Sequence, residues 1–198
     1  SERLPELQNL VGLLKNALYE TTHSSEEAVR VSRSIFTALD REVGSIGTTK
    51  PARLQACSYF DSALDTVRQG PSSVNQIADV LARIEPNLTW RHPSVLKKSV
   101  NDAYDTIANA ILIGPNGLER RNDVMIGMTI MGPHTLYPDH QHSPEEVYSV
   151  LSNGEWRQNE NSWHKPGLGG YVYNPSNIIH SFRSGSEPLL AIWCLWRT

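Results

Sequence analysis

This chain of 198 residues has only two cysteines, no long apolar run and no large excess of charge of one sign. Cys57 and Cys194 lie far apart and match no metal-binding or redox spacing, so we expect buried thiols in a reducing cytoplasm. No apolar run reaches the roughly 18 residues that a bilayer crossing needs. The net charge of -3 gives no electrostatic reason to expect nucleic acid or an anionic membrane as a partner. The first residues lack a basic segment followed by an apolar stretch, so we expect no signal peptide and a cytoplasmic protein.

The first ninety or so residues have the apolar periodicity of helices. Apolar residues recur at three- and four-residue steps near the start of the chain: Leu4, Leu7, Val11, Leu14 and Leu18. A serine followed by Glu26 and Glu27 predicts the start of a second helix, because a hydroxyl caps free N–H groups and carboxylates favour the positive end of the dipole. Pro51 suits the first turn of a third helix. We predict three or four helices before the prolines Pro86 and Pro93.

From about Lys97 the apolar runs shorten and are separated by turn residues, a pattern that is typical of antiparallel β-proteins. The predicted strands cover residues 107–113, 124–131, 146–151, 155–159, 170–173 and 189–196. Short strands at this spacing favour a sandwich or a small barrel, and periodicity alone leaves that choice open. We therefore divide the chain into a helical segment, residues 1–96, which packs on the barrel or on a partner subunit, and a β-domain, residues 97–198.

The strongest chemical signal is a cluster of histidines with one glutamate in the second half of the chain. His140 and His142 are two residues apart, so on a strand or the loop entering it they point the same way and can converge on one ion. Glu146 and Tyr148 repeat that relation, and His180 follows a turn that could return it to the site. Imidazoles with one carboxylate suit Zn, Fe, Ni or Mn, leave positions open for a substrate, and do not choose among these metals.

These residues resemble the two sequence motifs of the cupin family. In the first motif a glycine precedes an HxH pair, a glutamate and a second glycine; residues 132–154 follow this order, with the first gap two residues longer and the last one residue longer. Residues 169–184 resemble the second motif, with Asn177 in place of a glycine and Ser184 in place of the final asparagine. None of these departures touches a ligand position. The resemblance implies a mainly β fold in which one cupin barrel (a double-stranded β-helix or jelly roll) with a metal site follows N-terminal helices.

A narrower resemblance is to the small cupin-type dimethylsulfoniopropionate (DMSP) lyases of marine bacteria, the DddQ kind. It rests on Tyr148 two residues after the glutamate, on Tyr137 ahead of the HxH pair, and on the helical segment before a single cupin. Its specific part spans residues 137–180. This resemblance implies a bacterial carbon–sulfur lyase whose metal site splits DMSP into dimethyl sulfide and acrylate.

The resemblance also implies roles for individual residues and a cofactor. The implied ligands of one divalent transition metal ion are His142, Glu146 and His180, with His140 as a further ligand or as a neighbour beside the substrate. Fe or Zn is the first choice for this ion, and Mn or Ni stays open. Tyr148 is the implied catalytic base, and Tyr137 is placed at the substrate with a part in catalysis. A sulfonium cation favours an aromatic wall. Candidates for that wall are Tyr137, Trp163, Tyr171, Trp193 and Trp196.

The implied reaction is chemically consistent with a tyrosine base. Elimination requires removal of a proton α to the carboxylate, which is weakly acidic while the carboxylate is free. A divalent metal on that carboxylate would withdraw charge and stabilise the transition state. Free tyrosine has a pKa of about 10, and a nearby cation lowers the pKa of a phenol because it favours the charged form. Tyr148 could therefore serve as a phenolate, while the sulfonium leaves as a neutral thioether without an acid catalyst.

Two other classes of function stay open from the sequence. Another cupin enzyme, an iron dioxygenase or a sugar-phosphate isomerase, could use the same ligands. An isomerase for phosphorylated sugars needs converging cations, and residues 132–180 contain only Arg157 and Lys165. A cupin that binds a small molecule, with a structural metal or as a sensor, is the third reading. Under the DMSP lyase hypothesis, which we favour, we expect a small sulfonium substrate, no nucleic-acid or membrane partner, and a monomer or homodimer.

Overall fold

The computed structural model describes residues 2–198, and its first half is helical. The helices are α1 (Pro5–Thr21), α2 (Glu26–Arg41), α3 (Phe60–Arg68) and α4 (Ile77–Ile84), in agreement with the predicted three or four. Ser25 caps α2 by accepting from the backbone N–H of Ala28. The prediction for Pro51 is wrong: the helical stretch begins with a 3-10 turn at Gln55–Tyr59, because Ala52 instead pairs with Thr89 in an extended bridge. None of these helices in residues 2–198 is long and apolar enough to cross a bilayer.

Short strands build the second half of the described chain, and one two-residue strand lies in the first half. They are β1 (Ser45–Ile46), β2 (Ile107–Ile113), β3 (Glu119–Arg120), β4 (Val124–Met131), β5 (Leu136–His140), β6 (Glu145–Val150), β7 (Glu155–Gln158), β8 (Tyr171–Asn174), β9 (His180–Arg183) and β10 (Leu189–Trp196). Three of the six predicted strands have the predicted bounds, and the other three differ by one residue at one or both ends. The prediction missed β1, β3, β5 and β9.

The strands form two sheets with a shared interior. The larger sheet has the order β1-β3-β2-β4-β10-β6-β8, and the smaller has the order β5-β9-β7. Both are antiparallel apart from the short parallel pairing of β2 with β3. The predicted fold, a mainly β structure with N-terminal helices and a single cupin barrel, is confirmed.

Strand β10 shows how the larger sheet separates two cores. Ile192 and Cys194 pack with the helices on one face, whereas Trp193 and Leu195 face the smaller sheet on the other. This division follows from the alternation of side chains along a strand. The apolar stripes of the helices are thus a packing surface against the barrel. The domain boundary between residues 96 and 97 stays a prediction, and Ser1, with which the helical segment begins, lies outside the described residues.

A buried ion-pair network joins the start of the chain to the barrel. Arg3 donates to the Glu119 carboxylate of β3 at 2.5 Å, and both side chains are buried. The backbone N–H of Gly44 and the guanidinium of Arg121 donate to the same carboxylate. Burial opposes ionisation of Glu119, but these donors outweigh it and lower its pKa. The network therefore links three segments: Arg3 near the start of the chain, the residues that follow α2, and strand β3.

Candidate active site

A cavity of about 480 Å³ lies between the two sheets. Its walls come from β2, β4, β6 and β10 of the larger sheet, from β5, and from the loop that follows β5. The predicted site residues that line it are Tyr137, His140, His142, Glu146, Tyr148 and Trp193. His180 lies directly beside Glu146. The structure thus brings all seven predicted residues to one place.

Three histidines approach one another at this cavity. One ring nitrogen from each of His140, His142 and His180 lies within 4.8 Å of the other two. The His180 ring is centred 4.1 Å from that of His140 and 5.0 Å from that of His142. His140 ends β5 and pairs directly with His180 at the start of β9. One ion could therefore contact all three side chains.

The other ring nitrogen of each histidine is held by a backbone carbonyl. The Nδ1 atoms of His140, His142 and His180 lie 2.8, 2.9 and 2.9 Å from the carbonyl oxygens of Pro138, Pro144 and Ile178. Because a carbonyl only accepts, each Nδ1 carries a proton, and in the neutral form of each ring Nε2 presents a lone pair. Among the described residues, the buried Nε2 of His180 has no hydrogen-bond partner.

The carboxylate of Glu146 faces two of these nitrogens. Its oxygens lie 3.2 Å from Nε2 of His180 and 3.5 Å from Nε2 of His142. The Asn174 amide donates to Glu146 at 2.8 Å, and Gln158 donates to the Asn174 oxygen at 2.8 Å. Neither Asn174 nor Gln158 was predicted from the sequence as a site residue. This chain fixes the carboxylate against the histidines.

The charges in this group suit metal binding. Burial opposes ionisation of Glu146, but the imidazoles of His142 and His180 outweigh it and lower its pKa to about 2. Burial, and then His180, lower the pKa of His140 to about 4. Burial also disfavours the charged form of His142, but the Glu146 carboxylate outweighs it and raises the His142 pKa. At neutral pH Glu146 is thus ionised and His140 neutral, which are the forms that bind metals.

Two buried tyrosines lie beside the histidine–glutamate group. Tyr148 is 2% exposed and Tyr137 is 8% exposed. Burial, and then the Glu146 carboxylate, raise the pKa of Tyr148 well above its usual value of 10. Burial raises the pKa of Tyr137 to about 12, despite a hydrogen bond from Asn109 that acts in the opposite direction. The surrounding protein groups by themselves keep both phenols neutral.

Two further aromatic side chains, Phe182 and Trp156, pack against the two tyrosines. The ring of Tyr137 stacks on Phe182 with centroids 4.7 Å apart, and Phe182 stacks on Trp156 at 5.4 Å. Tyr148 meets both Phe182 and Trp156 at an angle. Neither supporting ring was predicted from the sequence as a site residue. Phe182 could have been found, because it stands two residues after His180 and so faces the same side of β9.

Only two of the five aromatic candidates lie in the cavity, namely Tyr137 and Trp193. Tyr171 and Trp196 pack against the helical core on the other face of the larger sheet. Trp163 lies away from the cavity, where its ring stacks against the guanidinium groups of two arginines, Arg157 and Arg183. These three residues therefore do not form the wall that the sequence analysis considered.

A chain of hydrogen bonds crosses the cavity wall on strands β10, β4 and β2. The indole Nε1 of Trp193 donates to the Thr129 hydroxyl at 3.0 Å, and that hydroxyl donates to the Asn109 oxygen at 2.5 Å. The Asn109 amide then donates to the Tyr137 oxygen at 3.3 Å. Asn109 and Thr129 were not predicted as site residues. Both line the cavity.

Comparison with known proteins places the chain in a family. Residues 23–191 match the family model described as dimethylsulfoniopropionate lyase. The dimethylsulfoniopropionate lyase DddQ of Ruegeria pomeroyi is 25% identical over 194 residues, which cover 98% of this chain and 90% of DddQ. DddL of Cereibacter sphaeroides is 26% identical over 129 residues, or 65% of this chain, and these span only 53% of DddL. The crystal structure of the Ruegeria pomeroyi DddQ matches with a TM-score of 0.74 at 22% identity, covering 98% of this chain and 92% of that one, and so has the same fold.

The family match includes the whole histidine–glutamate group, from His140 to His180. The predicted relationship to lyases of the DddQ kind is confirmed. The prediction that the protein is a lyase is confirmed at the level of the family. By the extent of the match, the chain belongs to the dimethylsulfoniopropionate lyase family.

Proposed function

We propose that this protein catalyses a metal-dependent β-elimination that converts DMSP into dimethyl sulfide and acrylate. The single observation that carries the proposal is the set of Nε2 lone pairs that faces the Glu146 carboxylate beside two buried tyrosines. Membership of the lyase family supplies the substrate class. The names of the relatives support the same substrate.

The residues fit a divalent transition metal. When the His180 imidazole is neutral, its Nε2 lone pair and an oxygen of Glu146 are both acceptors 3.2 Å apart, and they repel each other unless a proton or a metal cation lies between them. His142, Glu146 and His180 would hold the ion, with His140 as a further ligand or a neighbour. Such a nitrogen and oxygen set suits Fe or Zn, and also Mn or Ni. When bound, the ion supplies positive charge that favours phenolate over phenol and offsets charge on the substrate carboxylate.

Tyr148 is the proposed base. Its phenolate oxygen takes the proton from the carbon next to the substrate carboxylate, and the electron pair of that C–H bond forms the new double bond. The carbon–sulfur bond breaks with its electrons on sulfur, so dimethyl sulfide leaves as a neutral thioether. The ring is 2% exposed, which keeps bulk water away from the phenolate. Phe182 and Trp156 keep the ring in place.

The wall next to Tyr148 and Glu146 suits the sulfonium group. Trp193, Met125 and Leu195 line it, and Trp193 and Leu195 pair across strands with Tyr148 and Glu146. A cation over the face of an indole gains about 0.5–2 kcal/mol. The proposed partner is therefore a small zwitterion with a sulfonium group, as the substrate. A cytoplasmic location and the choice between monomer and homodimer stay predictions.

The test is an anaerobic incubation of the protein with DMSP. Separate samples are loaded with Fe, Zn, Mn or Ni, and headspace dimethyl sulfide is measured together with acrylate in solution. Equal amounts of both products, suppressed by a chelator, are the expected result. A product that forms only with oxygen would favour a dioxygenase, and no product with any of the metals would overturn the proposal.

A further inference from the structure

The hydrogen-bond chain from Trp193 to Tyr137 has a fixed direction. An indole N–H can only donate, so the Thr129 oxygen accepts from Trp193 and uses its one proton elsewhere. The Asn109 oxygen lies 2.5 Å from the Thr129 oxygen, which is at the short end of the range for O–H···O bonds and below the range for N–H···O bonds. Asn109 therefore turns its oxygen to Thr129 and its NH₂ group to Tyr137.

The direction of this chain determines what the Tyr137 hydroxyl can do. Its oxygen already accepts from Asn109, so its proton points to some other acceptor. Tyr137 lines the cavity, and its ring is centred 4.7 Å from that of His140. The phenol thus has a proton to donate to a group in the cavity, and its ring lies beside that of His140.

On the basis of the proposed function, we propose that Asn109 and Thr129 are positioning residues that aim the Tyr137 proton at a carboxylate oxygen of the substrate. Negative charge grows on that carboxylate as the α-proton leaves. A hydrogen bond to it is stronger in the transition state than in the bound substrate, so its loss lowers kcat more than it raises KM. Trp193 sets the direction of the chain through its donor-only nitrogen.

Matched variants of Thr129 test this role. Thr129→Val keeps the size of the side chain but removes the proton given to Asn109, whereas Thr129→Ser keeps the hydroxyl. We expect Thr129→Val to lower kcat about 10- to 100-fold, and Thr129→Ser to stay within about threefold of wild type. Asn109→Asp is a second variant, since its carboxylate accepts from Tyr137 and turns the phenol proton away from the cavity. Metal content and thermal unfolding show whether each variant is folded and loaded.

A double-mutant cycle separates positioning from a general structural effect. If Thr129 acts through Tyr137, adding Thr129→Val to Tyr137→Phe causes no further loss of kcat, because the hydroxyl that Thr129 positions is already gone. The double variant should then match Tyr137→Phe in kcat. Losses that multiply in the double variant would overturn the proposal, and so would wild-type kcat in both Thr129→Val and Asn109→Asp.

Binding of propionate, as a carboxylate probe, gives a readout that does not depend on turnover. Calorimetry on the metal-loaded protein should show weaker binding to Thr129→Val and unchanged binding to Thr129→Ser. If wild type releases no dimethyl sulfide but this binding pattern holds, the proposed function fails and the positioning role stands. If wild type is active and the variants equal it in both assays, the positioning role fails and the function stands. An inactive wild type that also binds no propionate would overturn both.

Discussion

Gly127 on β4 lies directly opposite Trp193 on β10, and a Cβ atom at Gly127 would be 2.2 Å from the indole ring. Because Gly127 has no side chain, the Trp193 indole can lie across β4. Thr129, two residues along on the same face of β4, then receives the indole N–H. The position of one cavity wall thus depends on a glycine in the middle of a strand.

We expect Gly127→Ala to move the indole of Trp193, because the added methyl carbon would clash with the ring and with the Ala110 carbonyl oxygen. Overpacking of this kind destabilises a protein by about 1–3 kcal/mol. Turnover should fall while metal content stays at the wild-type level, as steady-state kinetics and elemental analysis would show. Gly12→Ala is the control, since it lies in α1 with nothing within 4 Å and should raise stability by about 0.5–1 kcal/mol. Wild-type kinetics in Gly127→Ala would contradict the prediction.

Tyr148→Phe should lower kcat by about 10²- to 10⁴-fold, the usual loss when a general base is removed. Metal content should stay near wild type. In the wild type, activity should rise with pH as the phenolate forms, and this rise should be absent from the residual activity of the variant. A parallel loss of metal and activity would make Tyr148 mainly a ligand. A wild-type profile that is flat on its alkaline side would argue against a tyrosine base.

His180→Ala should remove metal binding, because it deletes the most buried of the three imidazoles and the partner of Glu146. The measurement is metal content after dialysis against a weak chelator. His164→Ala is the matched control, since His164 is an exposed histidine whose contact with Trp156 is through the backbone. Full metal occupancy in His180→Ala would refute the proposed ligand set.

Asn174→Ala should weaken metal binding without removing a ligand. Asn174 donates to the Glu146 carboxylate and is held in turn by Gln158. Loss of such an outer partner costs about 10- to 100-fold in metal affinity. Competition titration with a coloured chelator measures the change. An affinity equal to that of wild type would mean that the amide does not hold the carboxylate in place.

Glu119→Gln should destabilise the protein in a pH-dependent way. Because the folded-state pKa of Glu119 lies below its ordinary value of 4.5, its carboxylate stabilises the fold above that pH, and this contribution is lost as the pH falls further. At pH 7 the change leaves buried Arg3 unpaired, which costs about 3–5 kcal/mol. Urea unfolding should show the gap from wild type narrowing below about pH 4.5. A gap that does not vary with pH would contradict this.

Much of the barrel could be predicted because its longer strands are buried and bounded by turns. The bounds of β2, β4 and β10 follow directly from their apolar runs. The missed strand β5 has a register shift between Tyr137 and His140, which are three residues apart and yet both line the cavity. A bulge breaks the two-residue period, so spacing could not place these side chains on one face. Pro138 lies within this edge strand, where proline is tolerated.

The proposed ligands could be chosen from the sequence, whereas the polar residues around them could not. His140, His142 and Glu146 are close in sequence, so their spacing carries a signal. Asn109 and Thr129 are 20 residues apart and meet only because β2 pairs with β4. Single polar residues in apolar strands show their role only after the register is known.

The burial of both thiols has a consequence for the proposed reaction, which releases acrylate. Acrylate is an electrophile that alkylates thiolates, and product would accumulate around each molecule during turnover. Cys57 is 2% exposed and Cys194 is fully buried, and burial raises the pKa of both thiols. In the folded protein neither sulfur is accessible or ionised at neutral pH. Described residues 2–198 thus offer no nucleophilic cysteine to the acrylate that the proposed reaction would form.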